Sequence, residues 1–377
     1  MPNENKSSRD IKRGSRTRVA AAIAAAMLAC FLCGCSNPSG TTQTHVTQTV
    51  AAEAQPSPAG DFQVSSHDPF DSGNAMDILK KQCEFGVRPL GTPAHEKTLE
   101  YLIAQMKLYA DETKLQKFTY RGMPVTNVVG VFYPAGSDKP DERPIVLMTH
   151  WDTRPIADGP FSMESRRGVH FRYGPNGWSP QAPIMGANDA ASGVAVLLEL
   201  ARIFKQKRPP VGVLLLLDDG EDYGDFTAND HQGEGTELGA QYFAKNFRTE
   251  KSFGMPKAGI LLDMVGAKNA VFYPEDLSVT SNPTLNERVF NIARKLGYSD
   301  MFRLNDHQSV GDDHVSMNEA GIPTIDIIQP LPGGSFTSEA YRYWHTREDT
   351  PDKCSATTLK AVGDTIAETI YREAPSK

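Results

Sequence analysis

The chain has 377 residues, of which 39% are hydrophobic and 23% charged, enough to bury one large core or at most two small ones. That balance excludes a fibrous or wholly disordered protein. The formal net charge of −7 is the wrong sign for the basic face that a nucleic-acid partner favours, so no such partner is expected.

Lys6, Arg9, Lys12, Arg13, Arg16 and Arg18 precede an apolar stretch from Val19 to Cys33. The stretch is shorter than the roughly 20 residues of a comfortable membrane span, and a basic start before a short apolar run marks an export signal. It ends in Leu32-Cys33-Gly34-Cys35, which resembles the bacterial lipoprotein box. That resemblance implies a lipid on Cys35 and a catalytic domain held at a bacterial membrane, in the periplasm or outside the cell. Residues 1–35 are thus read as a lipoprotein signal. Residues 36–68 are rich in Ser, Thr, Gln, Pro and Ala and poor in large apolar side chains, so they read as a disordered tether. Residues 69–377 remain for the catalytic domain. Cys30 and Cys33 leave with the signal, so Cys83 and Cys354 are the thiols of that domain. An exported location permits a disulfide between them, and two buried free thiols are the favoured reading.

From Ser72 onward, helical and strand patterns alternate. Thr92-Pro93 is a fitting cap and first helical residue for a helix of about four turns carrying Leu99, Leu102, Ile103 and Met106 on one stripe. Two β-rich runs, Lys117 to Tyr120 and Asn127 to Tyr133, are separated by Gly122 and Pro124 and read as antiparallel neighbours. Pro144 to Thr149, Val211 to Leu217, Ala258 to Leu262 and Thr324 to Ile328 are continuous apolar runs, as strands covered on both faces show. Helical patterns occupy Gly193 to Phe204, Leu238 to Phe247 and Pro283 to Leu296, and a last amphipathic segment follows Cys354. The alternation predicts an α/β three-layer sandwich with a mixed, mainly parallel sheet flanked by helices.

Such sheets place ligands outside the carboxyl ends of their strands. His150 and Asp152 close one apolar run, Asp218, Asp219, Glu221 and Asp222 another, and Asp263 a third; Asp189 sits just before a helix. Imidazole nitrogen and carboxylate oxygen are zinc donors, and a catalytic site leaves one position open. Asp189, Asp222 and His345 would supply three ligands from three segments. His150 and Asp263 could hold a second ion sharing Asp189, or orient the ligands of the first. Glu221, beside Asp222, is left free to move protons.

His150-Trp151-Asp152, Gly186 through Gly193, Asp219-Gly220-Glu221-Asp222, Leu262 through Gly266 and Trp344-His345-Thr346 occur in the order seen in the zinc aminopeptidase clan, family M28. Residues 70–375 are similar to that clan, and within it the chain most resembles the glutaminyl cyclases, on Trp344 before His345, on Asp312-Asp313-His314 and on the Glu-Asp pair. The resemblance implies a zinc aminopeptidase-like fold, zinc on Asp189, Asp222 and His345, Glu221 as proton shuttle, and Asp263 and Asp312 as its relay partners. It implies peptides or proteins with N-terminal glutamine as substrates, pyroglutamate and ammonia as products, and one ion, with two the alternative. Trp344 would line the pocket, with Phe226, Phe336 and Tyr343 as further substrate-contacting aromatics. A di-zinc aminopeptidase is the first alternative, and a catalytically inactive binding scaffold the second.

Overall fold

In the computed structural model, which describes residues 62–163, 182–224, 235–330 and 342–375, the Asp71 carboxylate accepts hydrogen bonds from the backbone N–H groups of Gly73 and Asn74 and so starts helix α1 (Ser72–Phe85). Helix α2 (Pro93–Tyr109) begins as its sequence predicts: Thr92 Oγ1 accepts from His95 N at 3.2 Å and Pro93 takes the first helical position.

Strands β1 (Glu112–Tyr120) and β2 (Met123–Phe132) form the expected antiparallel pair, but both start earlier than their apolar runs. β1 is an edge strand of half-buried and exposed residues, so Glu112 to Gln116 carry no apolar signature. Pro124 is no breaker, because it lies beside the hairpin turn, opposite Thr119.

The remaining strands are β3 (Ile145–His150), β4 (Val213–Asp218), β5 (Ala258–Asp263) and β6 (Thr324–Ile328). The sheet order is β1-β2-β4-β3-β5-β6. β2 pairs antiparallel with β4, and the β4–β3, β3–β5 and β5–β6 pairs are parallel. Side chains alternate across a strand, so each continuous apolar run feeds two cores at once. Val213, Leu215 and Leu217 of β4 point into the larger core, and Leu214 and Leu216 into the smaller one.

The larger core lies under α1, α2, α3 (Ala191–Gln206), α6 (Pro283–Lys295) and α8 (Ala356–Tyr371). The smaller one lies under α4 (Leu238–Asn246) and the short α7 (His314–Glu319). A further short helix, α5 (Asp276–Ser281), packs beside β6. α5 and α7 escaped the sequence reading because six residues hold too little of the helical period to show a stripe.

Residues assigned from sequence to the end of the tether lie against α8. Ser65 N donates to the Glu368 carboxylate at 2.9 Å and the His67 ring stacks on Tyr371 at 4.7 Å, so the packed region begins before residue 69. Cys83 and Cys354 are buried and free, as the favoured reading had it, and burial pushes the Cys83 thiol up to about 11. Among the described residues no helix is long and apolar enough to cross a membrane. The signal and Cys35 lie outside the described residues.

Candidate active site

Three strands deliver polar residues to one edge of the sheet. His150, Asp218 and Asp263 are the last residues of β3, β4 and β5, and His150 is in register with Asp218. Glu221 and Asp222 follow β4 after a turn at Gly220, whose φ of +78 suits glycine. Asp189 precedes α3 but does not cap it: the cap position is Ala190, with no side-chain hydrogen bond. Its carboxylate is therefore available to the site. His345 enters from the segment after residue 341 with a φ of +51, a left-handed backbone uncommon for any residue but glycine and frequent at functional sites.

The strand-end residues converge around Asp189. One of its oxygens lies 3.2 Å from His150 Nε2 and the other 3.6 Å from His345 Nε2. His345 Nε2 is also 3.1 Å from Asp222 Oδ1, and His150 Nε2 is 3.2 Å from Asp263 Oδ1. Two buried groups of ligand atoms, each within 4.8 Å of one another, could hold a metal ion: Asp189 with Asp222 and His345, and Asp189 with His150 and Asp263. They share Asp189, as the sequence reading allowed.

The donor set fits a cation. Both carboxylate oxygens of Asp222 are buried and make no well-aligned hydrogen bond, their near neighbours being His345 Nε2 at 3.1 Å and Arg154 Nη1 at 3.8 Å, an arrangement that a positive ion would complete. Burial and then the Asp222 charge push Asp189 up to about 6. Burial would lower His345, yet Asp222 and Asp158 outweigh it and bring the ring to about 9. Such mutual repulsion and attraction mark a cluster of negative charge in need of a counter-ion.

Glu221 stands beside this cluster, its carboxylate 3.8 Å from His150 Nδ1. Burial raises its carboxyl well above the ordinary value, and the charges of Asp222, Asp312 and Asp263 add to this against the pull of His150. Asp263 and Asp312 thus act on Glu221 by proximity of charge. Asp312 is itself raised by burial and by Asp263, and its Oδ1 accepts from Asp313 N at 2.6 Å.

Each ligand-bearing segment is held from behind by another carboxylate. Asp349 accepts from the backbone N–H groups of Asn188 and Asp189, at 2.9 and 3.1 Å. Asp152 accepts from those of Glu221 and Asp222, at 3.1 and 3.3 Å. Asp158 lies 3.2 Å from His345 Nδ1 and is ion-paired with the buried Arg154. Asp349, Asp158 and Arg154 were missed from sequence: they close no strand and sit in loops without periodicity, where an acid or base looks solvated. Nothing local could have flagged them.

Trp344 stacks on the His345 ring at 3.9 Å and also packs on Met264, Val310 and Ile328, so it is both wall and local core. The Tyr343 ring lies 5.0 Å from Lys353 Nζ. Phe226 and Phe336 lie outside the described residues.

Residues 127–370 match peptidase family M28. A Bacteroides thetaiotaomicron glutaminyl cyclase bound to N-acetylhistamine is 34% identical, with a TM-score of 0.68 over 82% of this chain and 100% of that one. A leucine aminopeptidase precursor from the same organism is as similar, at 34% identity and a TM-score of 0.67 over 82% of this chain and 100% of its own. Aminopeptidase YwaD of Bacillus subtilis is 27% identical over 262 residues, and the chain spans only 46% of its length. With the family's match running from β2 into α8 and the metal-competent triads inside it, the chain belongs to peptidase family M28.

Proposed function

We propose that this chain is a zinc-dependent glutaminyl cyclase that converts the N-terminal glutamine of peptides or proteins to pyroglutamate with release of ammonia. The observation that carries the reading is the Glu221 carboxyl, buried beside the Asp189–Asp222–His345 triad and kept able to hold a proton by burial and the charges around it. Similarity to the Bacteroides glutaminyl cyclase over 82% of this chain and the whole of that one supports it.

Asp189, Asp222 and His345 would hold a single zinc ion. Both triads set a histidine ring against a carboxylate, His345 at 3.1 Å from Asp222 and His150 at 3.2 Å from Asp263, so the one-ion assignment rests on the likeness to the glutaminyl cyclase. His150 then orients Asp189 and Asp263 and does not bind metal. When bound, zinc polarises the γ-carboxamide of the substrate toward attack by its own α-amine. Glu221 takes a proton from that amine and delivers it to the departing nitrogen, so one carboxyl serves both steps. Asp263 and Asp312 keep the proton affinity of Glu221 high enough for it to give the proton up late. Trp344 offers a flat apolar face to the glutamine side chain, with Tyr343, Phe226 and Phe336 as further pocket residues. Residues 1–35 act as a lipoprotein signal and Cys35 carries the lipid; the basic run before a short apolar stretch supports this. The chain between Cys35 and the packed residues that begin near Ser65 would then tether the domain outside the cytoplasm.

A di-zinc aminopeptidase is the second reading, favoured by the complete His150–Asp189–Asp263 triad and by the equally similar leucine aminopeptidase precursor. Incubating the purified chain with a glutamine-initiated peptide separates the two. The expected product is the peptide less one ammonia by mass spectrometry; free glutamine would overturn the reading in favour of the peptidase, and an unchanged peptide with zinc bound would leave a scaffold. Elemental analysis is expected to give one zinc per chain. Glu221→Gln should cost at least about 10²-fold in rate with zinc retained.

A further inference from the structure

Arg154 is buried and takes no part in the chemistry above, yet it binds both sides of the site. Its Nε and Nη2 donate to the two oxygens of Asp158, at 3.1 and 2.6 Å. Its Nη1 donates to the carbonyls of Asp222 and Gly224, at 3.0 and 2.7 Å. One planar fork serves all four acceptors, an arrangement that a lysine ammonium on a flexible stem does not reproduce.

Asp158 passes the constraint on. Its Oδ1 lies 3.2 Å from His345 Nδ1, while the neighbouring Gly159 N donates to His345 O at 3.0 Å. His345 is thus gripped at ring and backbone by the same short loop. Its other ring nitrogen, Nε2, faces Asp222 Oδ1 at 3.1 Å, which closes a circuit from Asp222 through Arg154, Asp158 and His345 back to Asp222. The Arg154–Asp222, Asp158–His345 and His345–Asp222 links each join segments distant in sequence, and Arg154 and Asp158 connect them from within one short loop.

We infer that Arg154 and Asp158 are positioning residues that fix His345 with Nε2 toward the metal and tie its placement to that of Asp222. The inference rests on the zinc reading above. A proton on Nδ1 directed at Asp158 leaves the Nε2 lone pair for the ion, and an anion behind the ring strengthens the imidazole as a donor. Arg154 braces both oxygens of Asp158, and through the Asp222 carbonyl it ties the segments of two ligands together. The site therefore holds zinc as a unit, and loosening either residue of the pair loosens both ligands.

The test reads zinc directly. Asp158→Asn keeps the shape of the side chain and removes its charge, and should weaken zinc by about 10- to 100-fold in competition against a chromogenic chelator. Arg154→Lys keeps the charge and should weaken it comparably. Because both act through one circuit, the double variant should lose little more than the worse single one. Cobalt(II) in place of zinc should show an altered ligand-field spectrum in each variant, which general loosening of the fold would not produce. Zinc affinity within about twofold of wild type, with an unchanged cobalt spectrum, in a variant of native circular dichroism overturns the inference. Should Asp158→Asn not fold, Arg154→Lys decides by the same two readouts. A wild-type chain that binds no zinc overturns the metal reading itself, and that failure is told apart because it precedes any comparison of variants.

Discussion

Glu237 places a carboxyl where water scarcely reaches, with 2% of the residue exposed, and its side chain accepts from Ser316 Oγ at 3.3 Å. Burial pushes its pKa up to about 8, from 4.5 in a solvated chain. The folded state thus holds this proton more tightly than the unfolded state does. The stability so gained is complete below the unfolded value and is lost as pH rises through the folded one. Glu237→Gln, neutral at every pH, should therefore gain on the wild type between about pH 4.5 and 8, by an amount on the order of a few kcal/mol. Urea melts of both proteins across that range check this, and parallel curves would refute it. The same residue shows where sequence reading stops. Asp222 and Asp263 were legible because they follow strand ends, and Asp189 and His345 mainly because their segments resemble those of family M28. Glu237, Asp349 and Arg154 were not, since their roles come from what surrounds them in space.

At the level of elements, the pairing of apolar period with strand and helix length made most of the sheet readable. β6 matches its apolar run residue for residue, and α6 differs only at its end. What escaped was the edge: β1 needs only one partner and keeps polar residues along it. The elements also meet more closely than their patterns suggest. A Cβ at Gly193, in the first turn of α3, would come within 2.1 Å of Thr149 Oγ1 and 2.5 Å of the Leu262 carbonyl. α3 can approach the ends of β3 and β5, and bring Asp189 with it, because no side chain intervenes. Gly193→Ala should destabilise the fold by about 1–3 kcal/mol in urea titration and weaken zinc binding together with it. Stability within about 0.5 kcal/mol of wild type would mean that the helix can shift without harm.

At the scale of the whole molecule, the chain's described N-terminal part is structural. Phe70 is 3% exposed and fills the space beside Gly363 of α8, and Asp71 caps α1. A chain beginning at residue 62 should melt like the full-length protein. One beginning at residue 72 loses roughly 3–5 kcal/mol with the Phe70 ring and about 1 kcal/mol with the cap, and should melt several degrees lower by calorimetry. Equal melting points for the two would remove the segment from the folded domain.

His345 comes after the last strand, and α8, which follows it, packs on α1, α3 and α6. Asp349, beyond His345, is what steadies Asp189 far upstream. A nascent or truncated chain can lay down every strand and still lack His345 and the clamp on Asp189. On the proposed assignment, metal capture would wait for the segment that carries His345 and Asp349, and a bound ion would report that folding has reached past the last strand.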